Sequence, residues 1–117
     1  MPFKTLTLDG LKDLSFEPLT ELPPFAELLP GSQVSIAHLA GPVAAAGEIA
    51  AMRLESGGFR YRDIPGAESG FLLAGSAVVR DDEREATLEA GEGYWLAPGW
   101  TGTFEALTPA VKVFYLL

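Results

Sequence analysis

The chain contains no cysteine. Disulfides, thiolate metal sites and cysteine nucleophiles are therefore excluded. A chain of 117 residues can bury a core without covalent staples, and the lack of cysteine fits a reducing cytoplasm. Histidine is nearly absent too: His38 is the only one. Basic residues are scarce, 8 Lys and Arg against 16 Asp and Glu, giving a net charge of -8. With no basic cluster, an acidic surface repels phosphate backbones and anionic headgroups, so neither nucleic acid nor membrane is expected as a partner. Long apolar runs are missing. The longest, Leu39 to Met52, is interrupted by Gly41, Pro42, Gly47 and Glu48 and is too short to span a bilayer. The opening MPFKTLTLDG lacks the apolar centre and small-residue cleavage site of a signal peptide. No Gly-rich phosphate loop, nucleophile elbow or zinc-binding helix motif occurs.

Turn formers are plentiful and dispersed, with 13 Gly and 9 Pro. From residue 57 they fall at Gly57-Gly58, Pro65-Gly66, Asp81-Asp82, Gly91, Pro98-Gly99 and Pro109. Most intervals hold one strand and its turn, the spacing of a sandwich or barrel. Gly75 splits the wider interval, residues 66 to 81, into two short strands. GFRYRD alternates, placing Phe59, Tyr61 and Asp63 on one face and Arg60 and Arg62 on the other. TGTFEA and VKVFYLL also read as strands. The last has Val111, Val113 and Tyr115 on one face and Phe114 and Leu116 on the other. Apolar character on both faces predicts cover on both sides, by a subunit interface or an overlying N-terminal arm. Phe3 to Leu8, Ser32 to Leu39 and Glu48 to Leu54 are further expected strands. Four prolines between residues 18 and 30 forbid a long helix there. Residues 9–31 thus read as an irregular arm with one short turn at Phe25 to Leu29. The Ala-rich stretch PVAAAGEIAAM stays ambiguous between helix and loop. DDERE at 81–85 lacks the alternating oxygen ligands of a calcium loop and reads as a solvated hairpin turn. One domain spans residues 1–117, with an arm and strand over 1–31 and a β-barrel over 32–117.

Two segments resemble the paired signatures of the cupin superfamily, the RmlC-like jelly rolls. Glu68-Ser-Gly-Phe-Leu-Leu-Ala-Gly75 is similar to the end of the first motif, in which a Glu precedes a Gly by seven residues. Gly91-Glu-Gly-Tyr-Trp-Leu-Ala-Pro-Gly99 is similar to the start of the second, although Ala97 stands where the family usually has Pro. Trp100-Thr-Gly-Thr-Phe-Glu105 and the C-terminal strand resemble a small subgroup. It includes the ethanolamine-utilisation and ureidoglycine aminohydrolase cupins. The likeness covers roughly residues 47 to 117. It implies an all-β fold, a double-stranded β-helix (jelly-roll barrel), and by analogy a homodimer.

Metal-binding cupins take two His and a Glu from the first motif and a third His from the second. Three imidazoles and a carboxylate give a divalent ion an open site for substrate. Counting back from Glu68, the His positions fall on Tyr61 and Asp63. A shorter spacing places them on Arg62 and Ile64. The first is preferred because it keeps Phe59, Tyr61 and Asp63 on one face. The third position falls on Gly102. Glu68 alone survives as a ligand, so no metal and no cofactor are expected. The sharper alternative is a remnant site from His38, Asp63 and Glu68. Otherwise His38 is an ordinary strand residue.

Three functions compete. The first is a small-molecule binder with Phe59, Trp95, Trp100 and Phe104 as ligand-binding walls and Glu68, Asp63 and Tyr61 as polar anchors. The second is a small-metabolite enzyme, of isomerase, aminohydrolase or lyase type. Its acid/base would be Glu68 or Asp63, with Tyr61 as a second proton donor. On that reading Glu68→Gln abolishes turnover and leaves stability nearly unchanged. The third is a structural dimer whose rings fill the barrel. Glu68 and Asp63 also have a plain structural reading, as carboxylates paired with Arg53, Arg60 or Arg62.

Overall fold

The computed structural model describes residue 7 and residues 9–117. The strand expected from Phe3 to Leu8 lies outside the described residues except at Thr7, which is irregular. A single 3-10 turn spans Gly10–Asp13. Eleven strands follow: β1 (Glu17–Pro18), β2 (Ala26–Leu28), β3 (Gln33–Ala40), β4 (Ile49–Ser56), β5 (Gly58–Tyr61), β6 (Glu68–Ala74), β7 (Ser76–Arg80), β8 (Glu85–Glu89), β9 (Gly93–Leu96), β10 (Gly102–Ala106) and β11 (Ala110–Leu116). They form two antiparallel sheets, ordered β1-β3-β4-β11-β6-β9 and β2-β5-β10-β7-β8. No helix among the described residues is long and apolar enough to cross a membrane.

Inward residues of both sheets meet in one core, which includes Met52, Leu54 and Leu72 from the first sheet and Phe59, Leu88 and Phe104 from the second. The alternation along each strand sends its other residues outward. β11 lies at the centre of the larger sheet, between β4 and β6, so both its faces need cover. Its inner face, Ala110, Lys112, Phe114 and Leu116, looks into the barrel. On the outer face Val111 and Val113 pack with Leu11, Leu14 and Phe16 of the arm. Of the two covers expected for β11, the arm supplies one on its outer side, and Phe114 belongs to the core rather than to an interface.

Gly75 divides β6 from β7, as its spacing predicts. Its φ is 77°, and a side chain there would run into the carbonyl oxygen of Pro109. Only glycine meets both demands. The segment 81–84 turns between β7 and β8: Asp81 Oδ1 accepts hydrogen bonds from the backbone N–H of Glu83 and of Arg84, each at 2.9 Å. This is the solvated hairpin turn expected of DDERE. The Ala-rich stretch begins as a loop over residues 41–48 and becomes β4 at Ile49. Two expectations need correction. The turn at Phe25 to Leu29 is instead strand β2, recruited by pairing with β5, Ala26 opposite Tyr61 and Leu28 opposite Phe59. Asp63 is not on the inner face of β5. That strand stops at Tyr61. Asp63 then takes a positive φ of 48°, a conformation that Asp tolerates better than most residues. The reversal leaves Asp63 exposed and turns Ile64 into the core instead.

Candidate functional site

Three charged residues are buried among the described ones: Glu48, Glu68 and Lys112. Glu68 opens β6 and Lys112 sits mid-way along β11, facing inward by alternation. The adjoining β11–β6 register shifts between Val111 and Lys112. Bulges of this kind often re-aim a side chain beside a site.

Lys112 Nζ lies 3.2 Å from Glu68 Oε2 and donates to the hydroxyl oxygen of Tyr94 at 2.8 Å. Tyr94 in turn donates to Glu68 Oε2 at 2.5 Å, while Tyr61 donates to Glu68 Oε1 at 2.7 Å. Four rings surround the ammonium. Its nitrogen is 4.3 Å from the ring centre of Phe104, 4.7 Å from that of Phe59, 5.0 Å from Tyr94 and 5.1 Å from Phe114. An ammonium has three donors. Two acceptors and the negative faces of aromatic rings replace its lost water. Lys112 is 0% exposed and Glu68 only 3%. Burial pushes the Lys112 ammonium below its ordinary pKa, with the Glu68 charge opposing. Tyr61 and Tyr94 are pushed well above theirs, first by burial and then by the Glu68 carboxylate. Both phenols therefore remain donors.

This arrangement does not suit a divalent ion. Both oxygens of Glu68 already accept hydrogen bonds, and an ammonium occupies the centre of the ring cage. Tyr61 does take the inward place expected of the first His. Asp63 does not take the second. At the third, Gly102, a side chain would collide with the ring of Trp100. No group of three or more His, Cys, Asp or Glu among the described residues could hold a metal ion, so His38, Asp63 and Glu68 do not converge. The Arg partners considered for Glu68 lie elsewhere: Arg60 and Arg62 face Glu27 at 3.9 and 2.8 Å, and Arg53 stacks on Phe16.

Beside the cage is a pocket of about 130 Å³ at the barrel mouth. Phe25, Ile36, Met52, Phe59, Phe114 and Leu116 give it apolar walls, and Glu48, Glu68 and Tyr61 face it. Phe59, Tyr61 and Glu68 are thus brought to one place. Phe104 is buried deeper, stacked on Phe59 with ring centres 5.7 Å apart. Trp100 meets Tyr61 edge-on at 6.2 Å, gives its indole N–H to Asp81 Oδ2 at 3.1 Å, and belongs with Trp95 to a separate open cleft. Trp95 is 62% exposed and is not a barrel wall.

Lys112, Tyr94 and Glu48 were not among the residues picked from sequence as site members. Lys112 shares parity with Phe114 and Leu116, so a single lysine on an otherwise apolar inward face was the available signal. Tyr94 has the same parity as Leu96 and faces Gly70 across the β6–β9 pair. Glu48 follows a turn, where an acidic residue raises no alarm.

No family model matches the sequence, and no curated protein matches it. Solved structures do match in shape. An acetylacetone dioxygenase from Acinetobacter johnsonii superposes with a TM-score of 0.68 at 15% identity, over 100% of this chain and 74% of that one. The EutQ protein of Clostridium difficile gives 0.64 at 16% identity, over 74% and 69%. A cupin superfamily protein from Desulfitobacterium hafniense gives 0.61 at 16%, over 73% and 78%. These likenesses speak to shape, and fold alone does not assign chemistry. The two antiparallel sheets agree with them: the chain has the cupin fold, a jelly-roll β-barrel similar in architecture to EutQ.

Proposed function

We propose that this protein binds a small molecule at the barrel mouth, without a histidine-held metal. The observation that carries the reading is the pocket lined by Phe25, Phe59 and Phe114 with Glu48, Glu68 and Tyr61 as its polar points. Apolar walls with a few fixed polar groups are the usual make-up of a small-molecule site. The volume, about 130 Å³, fits one ring or a short chain; an apolar cavity of roughly 150 Å³ accepts benzene. Titration with benzyl alcohol, followed by amide NMR shifts, tests this. Saturable shifts at Phe25, Ile36 and Phe114 are expected, and they should vanish in Ile36→Trp, which fills the pocket. Unsaturable or scattered shifts would contradict the reading.

Catalysis is a second reading, favoured by Glu68 and Tyr61 both facing the pocket. Asp63 is exposed and does not line this pocket. Loss of turnover in Glu68→Gln would not be diagnostic, because that change also strips a buried ammonium of its carboxylate. The expectation that it spares stability is therefore withdrawn. A second copy of the chain is the partner we assign to the outer face of the larger sheet. There Phe71, Trp95 and Tyr115 are exposed on adjacent strands.

A further inference from the structure

The mouth pocket has a charge bias as well as a shape. Glu48 and Glu68 face it and Glu21 stands at its rim, while among the described residues no Lys, Arg or His lines it. The two inner carboxylates are not equivalent. Glu68 is satisfied by Lys112 and two phenols. Glu48 is 3% exposed, and its side chain has one partner, Nδ1 of His38, 3.2 Å from Oε2. The His38 side chain is 39% exposed, and His38 pairs with Ala50 at the same inward parity as Val34 and Ile36. Every enclosed side-chain polar atom among the described residues has a hydrogen-bond partner. Oε1 of Glu48 has none, so it is not enclosed by protein, and Glu48 lines the mouth pocket. A carboxylate oxygen among apolar walls is costly unless water or a ligand supplies a donor. Its charge is felt across the pocket, where it helps to keep the Tyr61 phenol protonated.

We propose that this pocket selects small organic monocations, a primary ammonium on an apolar body about the size of one benzene ring, with Glu48 Oε1 receiving the ammonium. The proposal rests on the binding reading above and names its ligand class. Phe25, Phe59, Tyr61 and Phe114 place aromatic rings around the same space, and aromatic faces attract cations. His38 is a positioning residue: by holding Oε2 it leaves Oε1 available as an acceptor. An anionic ligand finds no counter-charge, since the buried lysine is already spent on Glu68. A neutral alcohol fits, but its hydrogen bond to Glu48 lacks the assistance of charge at the donor.

Calorimetric titration of the whole chain with benzylammonium, benzyl alcohol and benzoate at one ionic strength tests this. Benzylammonium is expected to bind at least about tenfold more tightly than benzyl alcohol, as a charge-assisted bond outweighs a neutral one, and benzoate not measurably. Glu48→Gln should weaken benzylammonium about tenfold while changing the alcohol little. Equal binding of ammonium and alcohol, or tighter binding of benzoate, overturns the cation proposal and leaves the pocket standing. No binding by any probe overturns both. Should the Glu48 variant fail to fold, the ranking of the three probes on the unaltered protein decides.

Discussion

Lys112 keeps an ammonium where no water reaches it, and two tyrosines share the same small space. Tyr61 and Tyr94 have raised pKa values chiefly through burial, with Glu68 adding to both. Above the ordinary phenol value of 10.0, the unfolded chain releases protons from these two groups while the folded chain retains them. Stability must then fall as pH rises past 10. Lys112 works in the opposite sense, since its depressed value penalises the folded state until the unfolded lysine also deprotonates near 10.5. The expected outcome in a base titration followed at the phenolate band is that two of the three tyrosines stay un-ionised beyond pH 10. They then ionise together, in step with loss of circular dichroism. Ionisation of all three in the native state would contradict the buried network. At this scale the sequence was half legible. Glu68 stood out because a motif surrounded it. Tyr61 followed by alternation. Asp63 misled because alternation was extended two residues past the end of β5, and a local positive φ reversed it. Lys112 was passed over because lysine is rarely fully buried without a partner, and its partner sits 44 residues away in the chain.

The strands have their own logic. β11 has covered inner and outer faces, but the cover on the outside is uneven. Leu11, Leu14 and Phe16 protect the part around Ala37, Ala51 and Val113. Farther across the same sheet, Phe71, Trp95 and Tyr115 remain 58%, 62% and 41% exposed. Trp95 and Tyr115 both stand opposite Ser69 in their pairings with β6, so the three rings share one outward face. Contiguous exposed rings of this kind mark interaction surfaces. The proposed homodimer uses this face, and sedimentation should give about twice the mass of the 12.4 kDa chain, reverting to the monomer in Trp95→Glu with the fold intact. A monomeric unaltered protein would remove the case for pairing. Strand positions were largely readable because turn residues punctuate them. β2 was not, because AEL has no strand signal of its own and forms only through its register with β5.

For the molecule as a whole, the cupin architecture was visible in two spaced motifs whose glycines and prolines answer to backbone geometry, notably the φ of 77° at Gly75. What the barrel contains was not visible, because it depends on three strands meeting: β6 brings Glu68, β9 brings Tyr94 and β11 brings Lys112. The positive charge in the barrel interior belongs to the chain itself, at Lys112, and the mouth pocket lies beside it. A buried ion pair is costly to half-dismantle and cheap to remove entirely. The most direct measurement is therefore a double-mutant cycle in urea with Glu68→Gln, Lys112→Met and the two combined. Each single change should cost about 3–5 kcal/mol, by leaving one buried charge unpaired, and the double variant should be no less stable than either single one. Costs that simply add, or a Lys112→Met protein as stable as the original, would contradict the claim that Glu68 and Lys112 are held as a mutually dependent buried pair.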